Sequence, residues 1–185
     1  IIYHHNDLDG RCAAAIVLKW AKWQQHLHVI CVELDYKDEV LVDGILMDEK
    51  VVIVDFSFKP EVMEKVLSRT NNVTWIDHHK TAAEMPYQHL NGLRDFEDKS
   101  KAGCELTWEY FLPMFKMPKV VELIGDYDKW ALKNQPECFR VYEGMKMVDT
   151  QPFSPIWEPL FDESGTLLES IILQGQTAIR YRDSY

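Results

Sequence analysis

Three short stretches of the sequence carry aspartate or histidine side chains close after an apolar run. They are His5-Asn6-Asp7-Leu8-Asp9-Gly10 after residues 1–3, Asp55 after residues 51–54, and Asp77-His78-His79-Lys80 after residues 73–76. A ligand set that mixes carboxylates with imidazoles suits manganese, iron or cobalt better than it suits magnesium, which favours oxygen ligands alone. The three stretches are therefore candidates for the ligands of a metal centre.

The apolar runs have the composition of buried strands. Residues 1–4, 28–34, 51–54 and 73–76 are rich in valine and isoleucine, and the signal is strongest at 51–54. Helical patterns lie between them: one begins near Arg11, and Lys59-Pro60-Glu61 opens another. Alternating strands and helices predict an α/β fold with a parallel β-sheet flanked by helices.

Parallel strands would bring the three acidic stretches together, because their carboxyl ends line one crevice. Each stretch alone has a simpler explanation. The first could be a polar loop with a helix-capping aspartate, Asp55 could be a helix cap, and the paired histidines could belong to an exposed turn. Their shared position after strands favours a common site, in which one imidazole faces the metals and the other the substrate.

A fourth acidic stretch, Asp126-Tyr127-Asp128, ends a predicted helix over residues 118–129. An acid at a helix C-terminus opposes the helix dipole by about 0.3 to 1 kcal/mol, and a bound cation would offset this cost. An exposed polar turn is the alternative. The sequence does not decide whether Asp126 or Asp128 would be the direct ligand.

Composition limits the classes of function. The chain has 185 residues, a net charge of -10 and a pI near 5.1, which argues against a general nucleic-acid coat protein. The four cysteines form no Cys-x-x-Cys pair, so a thiolate zinc site and a disulfide framework are not expected. With no long apolar run and a strand at the start, the sequence favours a cytoplasmic protein without membrane contact.

The four ordered motifs resemble the DHH phosphoesterase superfamily, which is named for the Asp-His-His present here as Asp77-His78-His79. Its first motif is matched by residues 5–10, its second by Asp55 and its fourth by Asp126 or Asp128, and residues 101–108 resemble its small-residue helix start. The pattern Asp126-x-Asp128-x-Trp130 is most similar to the branch of nanoRNases and cyclic-nucleotide phosphodiesterases. The resemblance implies a Rossmann-like DHH domain and a manganese-dependent phosphodiesterase acting on short oligonucleotides or small, including cyclic, nucleotides.

The resemblance also implies roles for individual residues. Two Mn2+ ions, or Mg2+, Co2+ or Fe2+ in their place, would be held by His5, Asp7, Asp9, Asp55, His78, Asp126 and Asp128. Asp55 would bridge the ions, His79 would contact the scissile phosphate, and Asp77 would orient the histidines. Arg11 and Lys80 are candidates for phosphate contact, with solvated surface charge as the alternative.

Residues 1–130 are expected to form the catalytic core, and residues 131–185 its helical end or a linker. The glycine-rich C-terminal substrate domain of such enzymes is not recognised in this sequence, which has eight glycines and no Gly-Gly pair. No stable nucleic-acid complex is expected, and a homodimer is left open. Two rivals are an inorganic pyrophosphatase, whose first histidine would occupy the position of Tyr3, and a non-catalytic nucleotide-sensing domain.

Overall fold

A computed structural model describes residues 1–25, 28–97 and 100–184. Within these ranges the chain forms four β-strands, seven α-helices and one short 3-10 helix over Lys80–Glu84. In chain order the elements are β1 (Ile2–His5), α1 (Leu8–Trp23), β2 (Cys31–Leu34), β3 (Val51–Val54), α2 (Pro60–Arg69), β4 (Val73–Ile76), α3 (Gly103–Phe111), α4 (Lys119–Asp128), α5 (Glu137–Met145), α6 (Trp157–Phe161) and α7 (Leu167–Arg182).

The four strands form one parallel sheet in the order β2-β1-β3-β4. The register places Tyr3 opposite both Val32 and Ile53. This confirms the predicted α/β fold with a parallel sheet. Strands β3 and β4 have the predicted bounds, whereas the second strand begins at Cys31 rather than at residue 28.

Alternate strand residues belong to two hydrophobic cores, as expected for a sheet covered by helices on both faces. Ile2, Val54 and Ile76 share a core with α1, α3 and α4. Tyr3, Ile53 and Trp75 share the other with α2 and the loop after β2. The two central strands, β1 and β3, are thereby buried. The acidic stretches emerge at the carboxyl ends of the strands.

The helices beyond the sheet continue the first core. Trp157 of α6 and Ile171 of α7 belong to the same buried cluster as α1. Helices α5 and α7 pack closely, since a Cβ added at Gly175 would lie 1.8 Å from the carbonyl oxygen of Arg140. Helix α6 was not predicted, because its five residues, including Pro159, are too few for a periodic pattern. Within the described ranges, no helix combines the length and apolar character needed to cross a bilayer.

Candidate metal centre

The acidic and histidine side chains meet where the strand order changes direction. The chain passes from β1 outwards to β2 and then returns to the other side of β1 as β3. In open parallel sheets such a switch point forms a crevice at the carboxyl ends of the strands. His5 ends β1, Asp55 follows β3 and Asp77 follows β4, so all three open into this crevice.

Asp55 lies at the centre of the cluster. Its side chain is buried, and both carboxylate oxygens lack a hydrogen-bond partner. The Nε2 atom of His78 is 3.1 Å from Asp55 Oδ1, and the Nδ1 atom of His5 is 3.9 Å from Asp55 Oδ2. Since buried carboxylates normally have partners, these two oxygens are suited to a cation between the histidines.

One group of ligand atoms lies on the β1 side of Asp55. His5 Nδ1 is 2.6 Å from Asp7 Oδ2, and atoms of His5, Asp7 and Asp55 all lie within 4.8 Å of one another. The other oxygen of Asp7 accepts a hydrogen bond of 2.9 Å from the backbone N–H of Gly10, which caps α1. Asp7 is therefore a helix cap that still turns one oxygen towards the cluster.

A second group lies on the β4 side. His78 Nε2 is 3.3 Å from Asp128 Oδ2 and 3.6 Å from Asp9 Oδ2, and these three residues also form a group within 4.8 Å. Asp9 is buried and accepts hydrogen bonds from the backbone N–H groups of Gly103 and Cys104, at 2.7 and 2.9 Å. The N-terminus of α3 thus holds Asp9 beside His78.

Asp77 supports the two histidines from behind. Its Oδ1 atom accepts hydrogen bonds from the backbone N–H groups of His78 and His79, at 2.7 and 3.1 Å, and lies 2.8 Å from His79 Nδ1. The hydroxyl of Ser57 donates to its other oxygen. Burial opposes ionisation of Asp77, but its hydrogen bonds with His79 and Ser57 outweigh this, so its pKa is lowered.

Negative charge accumulates in the cluster. Burial, followed by repulsion from Asp9 and Asp7, raises the pKa of Asp55 well above its usual range. The same causes raise the pKa of Asp128 to about 8. Burial alone would lower the pKa of His79, but its hydrogen bond to Asp77 and the nearby carboxylates raise it. A divalent cation would relieve this repulsion.

Not every predicted residue reaches the cluster. The oxygens of Asp126 accept hydrogen bonds from the backbone N–H groups of Lys133 and Asn134, at 2.9 and 2.7 Å, in the loop after α4. Of the two acids ending this helix, the structure therefore brings only Asp128 to the cluster. The guanidinium of Arg11 is occupied by Glu33, at 2.7 Å. Lys80 is exposed at the start of the 3-10 helix.

Two features of the site were not predicted from the sequence. One is the pair of backbone N–H groups that holds Asp9. The other is the ring of Tyr36, which lies 5.3 Å from that of His5 and 5.9 Å from that of His79, measured between centroids. Tyr36 follows β2 by two residues, so an inspection of all four strand ends would have found it.

The sequence matches a known family over most of its length. The family described as "DHH family, N-terminal domain" matches residues 1–127. The chain belongs to the DHH family. The Asp-His-His of the family name is the group that Asp77, His78 and His79 form at the end of β4.

A relative with a similar sequence is longer than this DHH chain. The chain is 28% identical over 148 residues to the uncharacterized protein R106 of Acanthamoeba polyphaga mimivirus, a match covering 72% of this chain and 34% of the relative. The chain therefore spans about a third of that relative's length.

A solved structure shares the fold. An uncharacterized protein from Helicobacter pylori G27 superposes with a TM-score of 0.59 at 14% identity, covering 79% of this chain and 47% of that chain. Exonuclease RecJ bound to manganese superposes with a TM-score of 0.48 at 11% identity, covering 99% of this chain and 61% of that chain.

Proposed function

We propose that this DHH chain carries the catalytic domain of a metal-dependent phosphoesterase. The observation that supports this most is the buried carboxylate of Asp55, neither oxygen of which makes a hydrogen bond, between two groups of potential ligands. A structural role would leave two oxygens unsatisfied at a cost of roughly 1 to 3 kcal/mol or more. A site that binds two cations gives each oxygen a partner.

The residues present fit such a pair of ions. His5, Asp7 and Asp55 would hold one ion, and Asp55, Asp9, His78 and Asp128 the other, with Asp55 as the bridge. The mixture of carboxylates and imidazoles favours Mn2+, with Co2+, Fe2+ and Mg2+ as alternatives. Asp77 and the N-terminus of α3 would keep His78 and Asp9 in position from outside.

The neighbouring residues would prepare a phosphate for hydrolysis. When bound, paired divalent ions supply an activated water at neutral pH and stabilise charge on a phosphoryl group. His79 is oriented by Asp77 through Nδ1 and is 30% exposed, so its Nε2 atom is available to a phosphate oxygen. The raised pKa of His79 favours the protonated, donating form. A preorganised donor of this kind stabilises developing negative charge.

We assign the substrate to phosphodiesters of short oligonucleotides or small nucleotides, including cyclic ones. The rival pyrophosphatase needs a histidine at the position of Tyr3. Tyr3 is instead only 2% exposed and packs edge-on against Phe58, with ring centroids 5.2 Å apart. Position 3 therefore carries a core tyrosine in place of the imidazole that the pyrophosphatase needs, which favours the phosphodiesterase.

The test is a substrate panel with manganese, comparing the unaltered chain with Asp55→Asn. The panel contains dinucleotides, cyclic dinucleotides, cyclic mononucleotides, a 3′,5′-bisphosphonucleoside and pyrophosphate. We expect hydrolysis of at least one phosphodiester and a loss of at least about 100-fold in kcat for the variant, since even outer-shell changes at metal sites cost 10- to 100-fold.

Stability measurements provide the control for this variant. The pKa of Asp55 is raised in the folded state, so its ionised form opposes folding at neutral pH and a neutral Asn does not. The metal-free variant should therefore melt no lower than the unaltered chain. Turnover unaffected by the substitution would remove Asp55 from the mechanism, and cleavage of pyrophosphate alone would establish the rival.

A further inference from the structure

An exposed aromatic ring stands beside the candidate metal centre. Tyr36 is 45% exposed, in the loop that follows β2. Its ring stacks on that of Phe56, with centroids 4.7 Å apart and planes inclined by 20°. Phe56 is only 3% exposed and directly follows Asp55. The ring of Tyr36 is therefore held in a fixed orientation next to the central carboxylate.

The ring of Tyr36 also contacts two histidines of the candidate metal centre, His5 and His79. Its centroid is 5.3 Å from that of His5, which belongs to the first ligand group, and 5.9 Å from that of His79, whose ring meets it edge-on at 81°. His79 is the residue proposed to contact the scissile phosphate. A group attached to that phosphate through one sugar would lie within reach of Tyr36.

Tyr36 lies half-exposed at the margin of the second core. Phe56 continues through an edge-on contact with Phe58 into the second core, with centroids 5.9 Å apart, and so anchors the pair. Burial, followed by the charges of Asp77 and Asp55, raises the pKa of the Tyr36 phenol, as expected for a ring close to the acidic cluster. An amphipathic ring at this position combines an apolar stacking surface with a wet edge.

We propose that Tyr36 is a stacking platform for a nucleobase of the substrate, and that it makes the site specific for nucleotides over phosphates without a base. This inference rests on the proposed function, which supplies the phosphate position beside His79. Stacking tolerates any base, because every base has a π-face. The platform would therefore favour nucleotides in general over any one base.

The experiment measures binding separately from turnover. Calorimetry of the manganese-loaded chain with adenosine 5′-monophosphate and with ribose 5-phosphate isolates the contribution of the base. We expect tighter binding of the nucleotide, a loss of about 5- to 150-fold for that ligand alone in Tyr36→Ala, and near-normal binding in Tyr36→Phe. Tyr181→Ala, at a 69% exposed tyrosine of α7, is the matched control and should leave both affinities unchanged.

Turnover supplies a second measurement. On a dinucleotide, Tyr36→Ala should raise KM by a similar factor while kcat changes little, and on a dinucleotide lacking one base the difference should shrink. Equal losses for nucleotide and ribose phosphate, or no loss for either, would overturn the platform. A failure of the proposed function has a different signature, because the unaltered chain would then hydrolyse no phosphodiester, whatever Tyr36→Ala does to nucleotide binding.

Discussion

Asp55 combines two unfavourable features at a single residue. Its backbone φ of 53° lies in the left-handed region, which non-glycine residues adopt at a cost of about 1 to 3 kcal/mol. Its carboxylate is buried, without a hydrogen bond and beside other acids. Backbone strain of this kind clusters at functional sites, where the surrounding structure maintains it. A cation pair would compensate the charge of the buried carboxylate and give each of its oxygens a ligand bond.

The two acids at the end of α4 provide a matched pair of substitutions. Asp126→Asn should lower the free energy of unfolding by about 1 to 3 kcal/mol, because an amide cannot accept both backbone hydrogen bonds. Asp128→Asn removes a carboxylate near His78 and should weaken manganese binding by about 10- to 100-fold. It should not lower metal-free stability, because the raised pKa of Asp128 means that its ionised form opposes folding at neutral pH. Thermal unfolding with chelator and manganese titration measure the two effects. The reverse pattern would make Asp126 the ligand.

At the scale of elements, the start of α3 connects the two ligand groups. Its first N–H groups hold Asp9, and its first residue lies directly against Asp55. A Cβ added at Gly103 would be 2.6 Å from Asp55 Cβ and 2.8 Å from Asp55 Oδ1. Helix α3 therefore determines how far Asp9 and Asp55 stand from each other, and only glycine fits at this contact.

Gly103→Ala tests this role of α3. The added methyl group has to displace Asp55 or shift the helix, so we expect a stability loss of about 1 to 3 kcal/mol and manganese affinity reduced by about 10-fold or more. Gly44→Ala is the control, because nothing lies within 4 Å of a Cβ at that position. Calorimetric titration with manganese and chemical unfolding measure both quantities. Unchanged affinity in Gly103→Ala would separate α3 from the metal centre.

At the scale of the molecule, the parallel sheet turns four distant chain segments into one site. Strands β1, β3 and β4 end at one edge, and α4 brings Asp128 to the same edge from outside the sheet. The acids at this edge contribute part of the net charge of -10, and a bound metal can compensate their mutual repulsion. Residues of both cores flank the strands that carry this arrangement.

Much of the fold could be predicted because its signals are local. Residues 51–54 are all β-branched, and residues 73–76 combine β-branched side chains with Trp75. Both segments are buried on both faces and form strands with the predicted bounds. Placement of Asp55 and Asp77 at the site follows from strand direction alone. Helix α6 has too few residues to give a clear period. The second strand lies at the side of the sheet and is only partly buried, so its start is less well marked than those of β3 and β4.

The parts that could not be predicted depend on tertiary packing. Residues two apart on a helix point in nearly opposite directions, so the rotation of α4 decides between Asp126 and Asp128. That rotation is set by Val121 and Ile124 in the first core, which the sequence does not reveal. The position of Tyr36, two residues after β2, is a sequence signal. Its stacking on Phe56, which follows the next strand, depends on packing.

Crystals of the chain grown with manganese, with data collected at the manganese absorption edge, test the central claim most directly. We predict two anomalous peaks about 3.5 to 4 Å apart, one beside His5 and Asp7 and the other beside His78 and Asp128, with Asp55 between them. A single peak, or none at saturating manganese, would contradict a two-ion centre in this protein.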